Sequence, residues 1–123
     1  MHSKNKILII DDERDVAHLT AKRIRANGYE VECFFEGTGA IDIIRQKQPD
    51  LILLDIWLPG VSGIELFKIL RQDKKLKSIP IVFFSADPSK ESLSLQELGA
   101  EGFVKKPYNP VELLRIIRLA LDN

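Results

Sequence analysis

Apolar residues in this chain follow two rhythms. Four short stretches are apolar almost without interruption: Ile7-Leu8-Ile9-Ile10, Leu51-Ile52-Leu53-Leu54, Pro80-Ile81-Val82-Phe83-Phe84 and the brief Phe103-Val104. Continuous aliphatic and aromatic runs of this length predict strands buried on both faces. A fifth stretch, Glu30-Val31-Glu32-Cys33-Phe34, alternates polar and apolar and suits a strand nearer a sheet edge. Between these stretches the apolar positions recur at helical spacing. Val16, Leu19, Thr20 and Ile24 would share one face of a first helix, which Asn27-Gly28 stops because glycine accepts the left-handed conformation at a helix end. After the turn Gly37-Thr38-Gly39, a second helix from about Ala40 to Lys47 puts Ile41 and Ile44 on one side, and Pro49 ends it. A third carries Ile64, Phe67 and Leu70, with Leu66 beside them, and leads to an exposed loop at Lys74, Lys75 and Lys77. Asp87-Pro88 is an N-cap followed by proline at the first helical position. The helix after it holds few apolar residues, chiefly Leu93, Leu95 and Leu98, so weak anchorage is expected before Gly99 closes it. Asn109-Pro110-Val111-Glu112 starts a last helix, with a cap, a proline and a Glu placed for a capping box, and it runs to about Leu121.

Strand then helix, five times over, predicts an α/β fold: a parallel sheet wound with helices on both faces by right-handed crossovers. In such sheets polar chemistry collects at the carboxyl ends of the strands. That rule gathers Asp11 and Asp12, Asp55, Ser85, and Lys105 or Lys106 at one edge.

Composition narrows the options without adding chemistry. The 123 residues are one domain by length, and 45% hydrophobic with 29% charged content supports a core without staples. Eighteen basic and eighteen acidic residues cancel, which offers no argument for nucleic acid or an anionic membrane as partner. The single cysteine, Cys33, excludes an internal disulfide and a multi-cysteine zinc site, and fits a reducing compartment. It reads as a small buried hydrophobe. No apolar run is long enough to span a membrane or to serve as a signal peptide. His2 is expected in a frayed terminus.

The strand-end group has a definite chemistry. Three clustered carboxylates repel one another and favour a cation. Oxygen donors without histidine or cysteine point to magnesium or a similar hard ion. A lysine ammonium and a serine hydroxyl at the same edge suit the neutralisation and hydrogen bonding of a phosphoryl group. A carboxylate can also be the nucleophile, giving an aspartyl phosphate. Asp55, alone at the end of the central apolar run, is best placed for that, and the pair Asp11-Asp12 suits the metal.

Four segments, Ile9-Ile10-Asp11-Asp12-Glu13, Leu54-Asp55-Ile56-Trp57-Leu58-Pro59-Gly60, Phe84-Ser85-Ala86 and Gly99 through Tyr108 with Lys105-Lys106-Pro107, occur in this order and spacing. Together they resemble the receiver domain of two-component response regulators over essentially the whole chain, read as one domain over residues 1–123 without an output domain. The resemblance implies a flavodoxin-like (βα)5 sheet of strand order 2-1-3-4-5. It implies that Asp55 accepts a phosphoryl group from the phosphohistidine of a sensor histidine kinase or histidine phosphotransfer protein. Asp12 would bind Mg2+ directly and Asp11 mostly through water, with Asp55 and the Trp57 backbone carbonyl completing the set; Mn2+ would substitute. Lys106, before a proline bond expected to be cis, would contact the phosphoryl oxygens, and Lys105 would face the other way into solvent. Ser85 would hydrogen-bond the phosphoryl group, and Phe103 would be the aromatic switch partner. The implied protein is a cytoplasmic signalling domain that catalyses only its own phosphorylation and dephosphorylation, binding neither nucleic acid nor membrane itself.

Some positions depart from the commonest receiver pattern. Ser85 stands where Thr is frequent, Phe103 lacks a tyrosine's hydroxyl, and Trp57 is bulky beside the acceptor. Trp57 and Asp87 are expected to set the lifetime of the phosphorylated form. On the last helix, Val111, Leu114, Ile117 and Leu121 adjoin a second stripe of Leu113, Ile116 and Ala120, an apolar arc of about half the circumference at ~100° per residue. It is either a broad core face or, with the fourth helix and fifth strand, a homodimer or partner surface. Three other activities fit the residues less well. A phosphohydrolase of the haloacid dehalogenase type needs a second Asp two residues after the nucleophile, where Trp57 stands. A flavin binder needs a hydroxyl- and glycine-rich loop where Asp11-Asp12-Glu13 would repel phosphate. A receiver-like module without phosphorylation would not need Asp12, Asp55, Ser85 and Lys106 together.

Overall fold

The apolar stretches form strands and the helical-period stretches wind between them. The computed structural model describes residues 5–122, so His2 lies outside the described residues. In chain order the elements are β1 (Lys6–Ile10), α1 (Arg14–Arg25), β2 (Glu30–Phe34), α2 (Ala40–Lys47), β3 (Leu51–Leu54), α3 (Gly63–Gln72) and β4 (Ile81–Ser85). An irregular helical segment, α4, follows as Pro88–Lys90 and Leu93–Glu97, then β5 (Gly102–Lys105) and α5 (Pro110–Leu121). All strand pairs are parallel and the order is β2-β1-β3-β4-β5. This is the flavodoxin-like α/β sheet, with β3 at its centre between β1 and β4.

Side-chain alternation divides the core in two. Ile7, Ile9, Leu51, Leu53, Val82, Phe84 and Val104 face α1 and α5. Leu8, Ile10, Ile52, Leu54, Ile81, Phe83 and Phe103 face α2 and α3. With both faces covered, β1, β3 and β4 must be apolar at nearly every position, which is why they read as unbroken runs.

Two helices turn differently from the sequence reading. On α1 the buried positions are Ala17, Thr20, Ala21 and Ile24, whereas Leu19 is 49% exposed. The two alanines let the helix lie close to the sheet, which pushes the larger Leu19 to the outside. On α5, Leu113, Ile117 and Ala120 are buried while Val111, in the first turn, is 77% exposed. Asn109 caps that helix, accepting from the backbone N–H groups of Val111 and Glu112 at 2.9 and 3.3 Å. The expected capping box does not close: Glu112 turns outward to Arg115, with bonds of 3.0 and 2.6 Å, because a guanidinium one turn on offers a charged partner.

The fourth helix departs most. Asp87 caps it as expected, accepting from the Ser89 backbone N–H at 3.1 Å. It begins as a single tight 3-10 turn and then widens, with Leu98 N–H donating to Leu93 C=O five residues back at 2.9 Å, a π-type closure. Its one buried residue is polar: Ser94, whose Oγ donates to the Lys90 carbonyl at 2.7 Å. With Leu95 exposed and Leu93 and Leu98 only partly covered, no apolar stripe enforces a regular helix.

Candidate functional site

The parallel register builds the site from three strand ends. Ile10 pairs with Leu54, so the next residues, Asp11 and Asp55, leave the sheet side by side. The ladder continues one step beyond the strands: Asp55 N–H donates to Ile10 C=O at 2.9 Å, and Lys106 N–H donates to Ser85 C=O at 2.9 Å. By alternation, Asp11 and Asp55 follow Ile9 and Leu53 on the α1/α5 side, and Lys106 follows Val104 on that same side. Lys105 therefore faces the other way and is exposed.

The charges that meet there are close and mostly dry. The Lys106 ammonium donates to Asp11 Oδ2 at 2.6 Å and lies 3.4 Å from both Asp55 Oδ2 and Glu13 Oε1. It also sits 4.6 Å from the centre of the Phe84 ring, so its non-carboxylate side rests on an aromatic face. Asp11 and Asp55 are buried and Asp12 is exposed. Asp11 Oδ1 accepts from the Glu13 backbone N–H at 3.0 Å, and Asp55 Oδ1 from the Trp57 N–H at 3.4 Å. Burial pushes the Asp55 carboxyl up to about 6, the Asp11 charge adds to this, and Lys106 only partly opposes it. Burial draws the Lys106 ammonium down, but Asp11, Asp55 and Glu13 outweigh it and leave it above its ordinary value.

One ammonium thus faces a group of carboxylates, and Asp55 remains short of positive charge. Oxygens of Asp11, Asp12 and Asp55 come within 4.8 Å of one another. Three hard oxygen donors, one of them open to solvent, fit a divalent cation of the magnesium class.

Other predicted residues surround this centre. Ser85 ends β4 fully buried, and its Oγ accepts from the Asp87 N–H at 3.1 Å. Phe103 pairs with Phe83 in the sheet and lies buried against the α2/α3 side. Trp57 is 57% exposed, with the Lys90 ammonium 5.6 Å from its ring centre. Hydrogen bonds from Ser89 hold the Asp87 carboxyl below its ordinary value, helped by Lys90 and by the Trp57 indole. Trp57 and Asp87 therefore meet at the rim, joining the β3–α3 loop to the start of α4. The Lys106-Pro107 peptide bond is cis.

Two contributors carried no role in the sequence reading. Glu13 was only the third member of an acidic triplet, yet its carboxylate reaches Lys106. Gly63, at the start of α3, has its Cα against the back of Asp55: a Cβ there would come 2.0 Å from the Asp55 carbonyl oxygen. Its N–H donates to the Ile56 carbonyl at 2.8 Å. A glycine directly after the Ser62 cap was the available sign, since nothing in a first helical turn asks for one.

Comparison with known proteins agrees with this fold. Residues 7–118 match the family described as "Response regulator receiver domain". Among similar solved structures is the BeF3-activated N-terminal receiver domain of RstA from Klebsiella pneumoniae, 34% identical, with a TM-score of 0.86 over 97% of this chain and 100% of that one. The chemotaxis response regulator CheY4 of Vibrio cholerae is 28% identical, with a TM-score of 0.86 over 96% of this chain and 99% of that one. The signal receiver domain of a histidine kinase from Syntrophus aciditrophicus is 29% identical, with a TM-score of 0.82 over 94% and 89%.

Proposed function

The chain belongs to the response regulator receiver domain family, and from that membership we propose that it is a phospho-acceptor switch in which Asp55 takes a phosphoryl group from a partner phosphohistidine. The observation that carries this reading is the Asp55 carboxylate itself: buried, 3.4 Å from the Lys106 ammonium, and grouped with Asp11 and Asp12. An Asp55 oxygen attacks phosphorus, the bond from phosphorus to the histidine nitrogen breaks, and the imidazole leaves with that electron pair. Lys106 neutralises the phosphoryl oxygens, and the Ser85 hydroxyl donates to one of them once the acyl phosphate exists. Asp11, Asp12, Asp55 and the Trp57 carbonyl would hold Mg2+, which would supply the remaining positive charge, and Mn2+ would substitute. The donor is a sensor histidine kinase or a histidine phosphotransfer protein.

Movement of Ser85 toward the phosphoryl group would draw on the β4–α4 loop, and Phe103 lines a hollow with Glu91 and Leu95 just beyond that loop. The output surface in this reading is α4, β5 and α5, where Leu95 and Leu119 stand exposed beside Ile116 and Phe103. A homodimer through that surface is the form of output we favour. The protein turns over no separate substrate; its chemistry is confined to its own phosphorylation and dephosphorylation.

Incubation with acetyl phosphate and magnesium, followed by intact mass, tests the reading. A stable adduct of about 80 Da is expected, absent from Asp55→Asn protein and absent when the metal is chelated. Rapid release of free phosphate without an adduct would point to a hydrolase, and an adduct that survives Asp55→Asn would place the acceptor elsewhere.

A further inference from the structure

Lys106 has a long, flexible side chain, and something must hold it in place beside Asp55. Its own N–H is tied to Ser85, and the chain is next fixed at the Asn109 cap of α5. Between these points, Pro107 and Tyr108 make no backbone–backbone hydrogen bond among the described residues. The tether of this turn is the Tyr108 side chain. Its hydroxyl lies 2.9 Å from Thr20 Oγ1 on α1, and Arg23 Nη1 donates to it at 3.3 Å. Thr20 is fully buried. A hydroxyl in that position needs a partner, and among the described residues Tyr108 is the one it has. The Tyr108 ring also lies against the buried Phe84 ring, 5.6 Å between centres, and Phe84 is the ring on which the Lys106 ammonium rests. Helix α1 in turn follows directly on Asp11, Asp12 and Glu13. The Thr20–Tyr108 bond therefore joins the loop bearing the ammonium to the element that follows the carboxylates, across 88 positions of sequence.

We propose that Tyr108 is a positioning residue for phosphoryl transfer: its bond to Thr20 and its packing on Phe84 hold the Lys106 ammonium at the acceptor. This rests on the phospho-acceptor reading of Asp55. Tyr108 touches no reacting atom and acts through Lys106.

The test compares phosphorylation rates with acetyl phosphate at saturating magnesium, followed by intact mass, at a temperature where every variant is fully folded. Tyr108→Phe keeps the ring and removes the hydroxyl; Thr20→Val removes the other end of the bond at similar size. Each is expected to slow phosphorylation by about three- to tenfold. The double variant is expected to be no slower than Tyr108→Phe alone, because that change already breaks the Thr20–Tyr108 bond. Thr20→Ser, which keeps the hydroxyl, is expected to recover the rate. Melting temperatures are measured alongside. A purely structural tie would lower them and leave the rates unchanged, and that result overturns the proposal, as do multiplying effects in the double variant. Wild-type protein that gains no phosphoryl group refutes the reading of Asp55 first, and this proposal falls with it.

Discussion

Asp55 pays for its position with a charge that its neighbours only partly satisfy. Without metal its carboxyl is raised from an ordinary 3.8 to about 6, chiefly by burial. Between those values the folded state holds a proton that the unfolded state has lost, so stability falls as pH rises through this window and stays lower above it. Asp55→Asn removes this term. In metal-free solution the variant is expected to gain stability over the wild type between pH 4 and pH 7, reaching on the order of 2 kcal/mol at neutral pH. Urea unfolding at both pH values checks this; a difference independent of pH would refute it. Magnesium should then raise the melting temperature of the wild type and do little for the variant. A second prediction concerns the rim. Trp57 and Asp87 meet there beside Asp55, so on the proposed phospho-acceptor role Trp57→Asn and Asp87→Ala should both admit water and shorten the life of the phosphorylated form, by about two- to tenfold. Loss of phosphate over time, read by intact mass, would contradict the idea if both variants matched the wild type.

At the scale of elements, the loop between β3 and α3 is held by backbone contacts that leave no room for a side chain. A methyl at Gly63 would meet the Asp55 carbonyl oxygen at 2.0 Å and the Ile56 Cα at 2.9 Å, and neither atom can move without moving Asp55. Gly63→Ala should cost about 2–3 kcal/mol by overpacking and slow phosphorylation as well. Gly102→Ala is the informative contrast. Its methyl would meet mainly the tips of the Ile116 and Val82 side chains, so a smaller loss is expected, read from the midpoints of urea unfolding. Helix α4 is the opposite kind of element. Its mixed 3-10 and π winding and sparse apolar contacts place it among the less stable parts of the fold, where a switch between two arrangements costs least. The short Leu93, Leu95, Leu98 pattern announced its weak anchorage. Its winding was not legible, because the i→i+5 closure at Leu98 has no separate side-chain signature.

For the whole molecule, the sheet brings Asp11, Asp12, Asp55, Ser85 and Lys106 to one edge and leaves α4, β5 and α5 as a continuous flank. No helix among the described residues is long and apolar enough to cross a membrane. If that flank is a homodimer surface, sedimentation at high protein concentration should show a shift toward dimer when beryllofluoride and magnesium mimic the phosphoryl group. A monomer under both conditions would leave the surface to a different partner.

By itself the sequence determined the strands, their order of appearance, and the group of Asp11, Asp12, Asp55, Ser85 and Lys106. Burial on both faces forces unbroken apolar runs, and a charge at the end of such a run has few places to go. The cap at Asn109 was legible for a similar local reason, since Asn before Pro at a helix start satisfies free N–H groups. Tertiary structure alone decided what depends on distant approach. Leu19 faces outward because Ala17 and Ala21 let α1 settle on the sheet. Glu112 abandons the capping box for Arg115. Gly63 is required by the back of Asp55, and Thr20 finds its partner in Tyr108. Each of these outcomes depends on which atoms meet in three dimensions, and spacing along the chain encodes a residue's face without encoding what lies opposite it.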